Sequence, residues 1–238
     1  MYNVDYAEEI VGTLFSGLGL TVQFVAFVIP AGFVLGFFMG WARTSSSWFL
    51  RALGTTYVEF FRGMPPIVLV FFSWLIATLV FRRYLGIEDP SGPAFAVGIF
   101  ALALHSGSYQ AEIVRAGILS VPTGQLEAAD AIGLTRWQAM FRITLPQAFR
   151  VSLPALGNEF ASLIKDTSLL TVIGAFELSQ TGLLLVIDAL IDRQDFNLIF
   201  IVWTEIALLY FAVTFLVTRA VRGIENVFKV PGLEAAQL

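Results

Sequence analysis

The sequence predicts an all-α, polytopic membrane helix bundle with about five transmembrane helices. Three observations lead there. Of 238 residues, 57% are hydrophobic and 13% charged, whereas a soluble domain carries about a quarter charged residues. Mean hydropathy is +0.79. The apolar residues also fall into runs long enough to cross hydrocarbon, which takes about 20 residues of helix. Length alone allows one or two domains; hydropathy favours a single membrane unit over residues 1–230, with a flexible tail at 231–238. There is no cysteine, which excludes a disulfide framework and a thiolate metal site. The net charge is −4 and no basic patch suggests nucleic acid. The first nine residues are acidic and lack the basic start of a cleaved signal peptide, so the spans themselves are expected to direct insertion.

Each span follows from an uncharged run. Residues 10–42 hold no charge, more than one crossing needs, and the first helix is expected at 18–41. Pro30 lies inside it, tolerated in a membrane as a kink. The run 63–81 gives a second helix at 65–81, and the run 90–111 a third at 94–113. A fourth, at 151–176, carries Glu159, Lys165 and Asp166; a fifth, at 196–217, carries Glu205.

Five crossings put the termini on opposite sides, and basic residues choose which. Segments 43–62, 115–150 and 219–229 hold three, four and three Lys/Arg, whereas the opposite segments hold only Arg82, Arg83 and Arg193. The N-terminus is therefore expected outside and the C-terminus in the cytoplasm. The loop between the third and fourth spans, residues 118–150, is the longest cytoplasmic connection, and loops of that length are usually functional.

That loop has helix signals of its own. Thr123 is a plausible N-cap, and Glu127 falls near the helix start, where the dipole favours a carboxylate. Helix formers run to Ile132, and Gly133 suits a left-handed stop. Thr135 and Gln138 match a capping box for a second helix, which Pro146 should stop or kink. The expected result is a first helix of about nine residues, roughly 13 Å long, then a sharp turn and a second helix at the membrane surface. Ala128, Ala129 and Ala131 keep the first helix thin enough to enter a groove of another protein. An amphipathic helix packed on its own protein is the alternative.

The residues Glu127-Ala128-Ala129, Gly133 and Ile143-Thr144-Leu145-Pro146 match every fixed position of E-A-A-x3-G-x9-I-x-L-P. This resembles the EAA loop of ABC importer permeases. Residues 57–65 resemble the segment before the second helix of polar amino acid (histidine, glutamate, glutamine, arginine, opine) permeases. Residues 109–117 resemble the end of their third helix, and residues 158–169 their fourth. The resemblance covers residues 12–229 and is most specific over 109–169. It implies a type I ABC importer permease fold and a cytoplasmic coupling helix that docks into a cleft of the ATP-hydrolysing subunit. It assigns coupling to Glu127, Ala128, Ala129 and Gly133. One departure stands in the 62–66 segment: the family often has Arg-Gly-Thr-Pro-Leu followed by a glutamine. Here the residues are Arg62-Gly63-Met64-Pro65-Pro66, with Leu69 in the glutamine's place, making one cavity wall more apolar.

Ionisable residues inside the bilayer cost about 2.5–3.5 kcal/mol on insertion scales and need a partner or water. Glu159 and Asp166 are seven apart, close to one helix face, with Ser162 between them. By analogy with secondary transporters, midplane polar positions hold substrate. Asn158, Glu159 and Ser162 are thus the candidate substrate-binding residues, Glu159 receiving an ammonium and Asn158 orienting the solute. Alternatively, Glu159 pairs with a basic residue and serves packing. Lys165 and Asp166 are expected to form an internal pair bonded to Thr167 and Ser168. Glu205 is expected either to pair with Lys165 or to face the outer cavity. Glu112 and Arg115, three apart, should pair locally. The lone His105 has no cysteine or second histidine for a metal site and is expected to bond through Ser106 or Ser108.

The chain has no G-x-x-x-x-G-K-[ST] phosphate loop, so it is expected to be a transport subunit and not an enzyme. Mg-ATP would bind a separate subunit, and no cofactor is expected on this chain. A paired ATPase offers two clefts, so a second permease copy, identical or homologous, is expected. An external solute-binding protein, an amino acid substrate and the lipid bilayer complete the expected partners. An ion-coupled secondary transporter is the alternative function.

Overall fold

The computed structural model describes residues 4–86, 93–193 and 196–228; the expected tail at 231–238 lies outside them. Among these residues every regular element is helical. Three helices are long and apolar enough to cross a membrane: Ile10–Arg43, Pro66–Tyr84 and Phe196–Phe228. A bent pair, Arg136–Ile173 with Leu178–Ile191, meets the same test as a fourth, with 49° between its halves. The third expected span forms as a helix too, but its His105–Gln110 stretch is polar and largely buried, which keeps it below that apolar threshold.

Helix α1, Val4–Arg43, runs as one helix past Pro30 and extends beyond the expected 18–41. Its main partner is α4, Ala94–Leu119. Gly32, Gly36 and Gly40 form one stripe on α1 against Gly107 and Ala111. A Cβ on Gly36 would stand 2.7 Å from the Gln110 Cβ and 2.9 Å from the Gly107 carbonyl oxygen. Bare backbones therefore meet along this seam, as small residues allow between membrane helices.

The segment 43–62, expected as a connection, is instead helix α2, Trp48–Gly63. It turns back along α1, so that Gly54 abuts the Met39 carbonyl and Arg43. Tyr57 donates to the Leu104 carbonyl at 2.9 Å. Glu59, Arg62 and two threonines hold its hydropathy down, which hid it as an apolar run. Met64 and Pro65 are extended, at φ/ψ of −98/133° and −58/131°. Helix α3, Pro66–Val80, resumes the climb and ends in a π-helical turn, Phe81–Leu85. Phe24, Val28, Leu69, Val70 and Leu102 form the central core between α1, α3 and α4, together with Leu163 from the fourth expected span.

Helix α7, Leu145–Asp166, packs on α4 and on α9, Phe196–Phe228. The fourth span was expected to run to residue 176. Its α-helix stops at Asp166 and tightens into a 3-10 helix, Thr167–Ile173, which Gly174 ends at φ 67°. Helix α8, Leu178–Asp188, then folds back against α1 and α9. Ile10, Leu14, Leu178, Val186, Leu198 and Val202 close a second core there. Glu177 opens α8 and is fully buried. Its carboxylate accepts from Tyr210 Oη at 2.6 Å, the Gln180 amide at 2.7 Å and Thr171 Oγ1 at 3.1 Å. The Leu178 amide donates to Thr21 Oγ1 at 3.0 Å, so this corner ties α1, α8 and α9 together.

Candidate functional site

Two polar features stand out, one outside the core and one within it. The first is the loop between α4 and α7. Helix α5, Thr123–Ala131, has nine residues, as its sequence predicts. Pro122 and not Thr123 occupies the cap position, and Thr123 is the first helical residue. Gly133 takes φ 79°, a left-handed value that a branched side chain resists. The Gly133 and Leu134 amides close the turn on the Asp130 and Ala129 carbonyls, at 2.9 and 3.0 Å. Thr135 and Gln138 form the capping box, at 3.3 and 2.8 Å, opening α6, Arg136–Ala139.

Pro146 does not stop that helix. A π-helical turn, Met140–Thr144, precedes it, and α6 continues through this turn into α7. The wider turn relieves the clash and the lost hydrogen bond that a proline brings to an α-helix. On α5, Glu127 and Ala128 face outward whereas Ala129 is buried at 2% exposure. Leu126 and Ile132 are exposed apolar neighbours. Gln147 Nε2 donates to Gln125 Oε1 at 2.5 Å, pinning the short helix to the base of α7.

The second feature lies where α2, α4 and α7 meet. Ser106 Oγ donates to Glu159 Oε1 at 2.7 Å, and Gln110 Nε2 donates to Ser106 Oγ at 3.0 Å. Glu159 makes no ion pair among the described residues; it feels the charges of Arg62 and Asp166 at longer range. Arg62 lies over the Tyr109 ring, 4.9 Å from its centroid. His105 Nδ1 is 3.3 Å from the Phe61 carbonyl, and Ser108 bonds His105 as expected, though at its carbonyl and not its ring: Ser108 Oγ donates there at 2.6 Å. The structure thus adds Ser106 and Arg62 to the surroundings of Glu159. Arg62 was legible only as a loop cation until α2 was known to fold back.

The other expected residues separate. Ser162 is half-buried on α7, one turn from Glu159. Asn158 is exposed and lines a different crevice, with Thr218, Arg222 and Glu225 of α9. Lys165 and Asp166 form no ion pair; Thr167 and Ser168 donate to the Ile164 and Lys165 carbonyls, both at 2.7 Å. Glu205 does not pair with Lys165. Glu112 does bond Arg115, as expected, and also Arg43 at the end of α1.

Residues 32–229 match the family described as the inner membrane component of binding-protein-dependent transport systems. The chain belongs to this family. The permease is 32% identical over 217 residues to the glutamine transport system permease protein of Escherichia coli (strain K12), covering 91% of this chain and 93% of that one. It is 36% identical over 213 residues to the L-cystine transport system permease protein of Bacillus subtilis, covering 90% and 85%. A solved chain described as part of an amino acid ABC transporter with histidines superposes at a TM-score of 0.77. That match has 30% identity and covers 95% of the permease and 99% of the other chain. The methionine ABC transporter in an inward-facing conformation shares the fold, at a TM-score of 0.76 and 20% identity, covering 94% and 99%.

The permease is a multi-pass membrane subunit of an ABC importer and not an enzyme. Such systems place ATP on a separate subunit and take solute from a binding protein. The relatives give the ion-coupled alternative no support.

Proposed function

We propose that this permease imports polar amino acids, and that α5 is the lever through which a partner ATPase moves the bundle. The observation that carries the reading is α5 itself: a short helix standing clear of the core, with Glu127 and Ala128 outward and a left-handed elbow at Gly133. Small outward side chains allow close docking, and the elbow joins the docked helix to α6 and α7, which continue without a break. In this division Ala129 faces inward and seats the lever, while Glu127 and Ala128 meet the partner. The side bearing α5 is the cytoplasm, with the N-terminus outside. Two copies of the permease, identical or homologous, answer the two clefts of an ATPase dimer. Mg-ATP acts there and not on this chain.

The substrate class is amino acids because relatives of comparable length carry glutamine and cystine. Glu159 would receive the ammonium, with Ser162 alongside and Arg62 near enough to contribute to a solute carboxylate. Asn158, on the α9 side of α7, would act nearer the exit. Reconstitution with the ATPase and the binding protein tests this. Amino acid uptake should require ATP and the binding protein together. Uptake driven by an ion gradient in vesicles lacking nucleotide would overturn it.

A further inference from the structure

The reading above leaves unused a groove of about 570 Å3. It opens between the end of α1, the start of α2 and α6. Phe38, Leu50, Leu53 and Met140 make an apolar floor, and the first three are exposed at 55, 43 and 49%. Ser45, Ser46 and Arg136 form a polar rim. Trp41 and Trp137 also line it and stand edge to face, with centroids 5.5 Å apart. Among the described residues no carboxylate lines the groove. Among the described residues Arg136 has no ion pair or side-chain hydrogen bond, and Arg51 adds a second cation at the Ser45 carbonyl, 3.5 Å away.

We infer that this groove binds one anionic phospholipid from the leaflet on the α5 side. Its phosphate meets Arg136 and the Ser45 and Ser46 hydroxyls, and an acyl chain lies along Phe38, Leu50 and Leu53. Charge complementarity selects the headgroup: a rim with the unpaired Arg136, Arg51 close by and no acid among the described lining residues favours an anion over a zwitterion. The apolar floor selects a lipid over a soluble phosphate, since a small ion would leave it exposed. Tryptophans are enriched at the headgroup level, where this pair would sit. The inference rests on the proposed orientation, which puts α5 in the cytoplasm. Arg136 opens α6 directly after the Gly133 elbow and the capping box, so a lipid held there braces the root of the lever.

The complete importer in nanodiscs of phosphatidylcholine, with or without phosphatidylglycerol, supplies the test. Native mass spectrometry, run without nucleotide, counts retained phosphatidylglycerol. Arg136→Gln should remove one retained lipid per permease copy and raise the phosphatidylglycerol fraction needed for half-maximal ATPase activity several-fold. Arg136→Lys should restore both, and Arg142→Gln should change neither. Unchanged retention in Arg136→Gln would overturn the inference. So would equal stimulation by inorganic phosphate in pure phosphatidylcholine, which would mean a soluble-anion site. Because retention is measured without turnover, it stands or falls separately from coupling, which Gly133 variants report.

Discussion

Glu159 and Glu177 are both carboxylates drawn into a helical bundle, and their surroundings give them different work. An ionised carboxylate offers about four lone-pair sites. Glu177 fills three with donors at 2.6–3.1 Å and is wholly buried, which marks a structural group. Removing it would leave the Gln180 amide at the start of α8 without its acceptor and take from Tyr210 the carboxylate it donates to, leaving that hydroxyl only Ser179 Oγ at 3.1 Å and Thr167 Oγ1 at 3.5 Å. Glu177→Ala should therefore cost about 2–4 kcal/mol, read as a lower unfolding midpoint in detergent. Glu159 has one donor, Ser106, and only half-buried surroundings, so it keeps capacity for a ligand. Glu159→Gln should raise the amino acid concentration for half-maximal ATPase stimulation about tenfold or more, equivalent to about 1.4 kcal/mol, with assembly unchanged. An unaltered substrate dependence would return Glu159 to a packing role.

At the level of elements, α5 and its elbow are the sharpest case. Gly133 holds φ 79° with open space around its missing Cβ, so the constraint on it is backbone conformation and not crowding. Gly133→Val should leave membrane insertion intact while separating ATP hydrolysis from transport, so that hydrolysis continues and uptake falls at least tenfold. Retained coupling would argue against the lever. The nine-residue α5, the Gly133 turn and the Thr135 capping box were all legible because each depends on local chemistry. Helix α2 was not: its Glu59 and Arg62 read as a loop, and the contacts that seat it, Gly54 against α1 and Tyr57 on the Leu104 carbonyl of α4, are tertiary. The break at Asp166 was hidden for the opposite reason. Residues 167–176 are apolar enough to continue a span, and only the Gly174 φ and the α8 contacts bend the chain back. Pro146 misled because the π-helical turn before it, a three-dimensional remedy, leaves no mark in the sequence. For the candidate site, Glu159 and Ser162 could be picked out by helical spacing, but the approach of Ser106 and Arg62 depends on tertiary packing.

Taken whole, the molecule is organised around the seam between α1 and α4. Gly32, Gly36 and Gly40 bring these two helices to backbone contact. A side chain at the middle position has nowhere to go, because the Gln110 Cβ and the Gly107 carbonyl would lie 2.7 and 2.9 Å from its first carbon. Gly36→Leu should therefore abolish recovery of the assembled transporter, whereas Gly19→Leu, in open space on the same helix, should preserve it; size-exclusion chromatography after extraction distinguishes the two. A joint without side chains also has no rotamers to exchange. During a transport stroke α1 and α4 should therefore travel as one strut, and the shape change falls on interfaces that still have side chains to reshuffle.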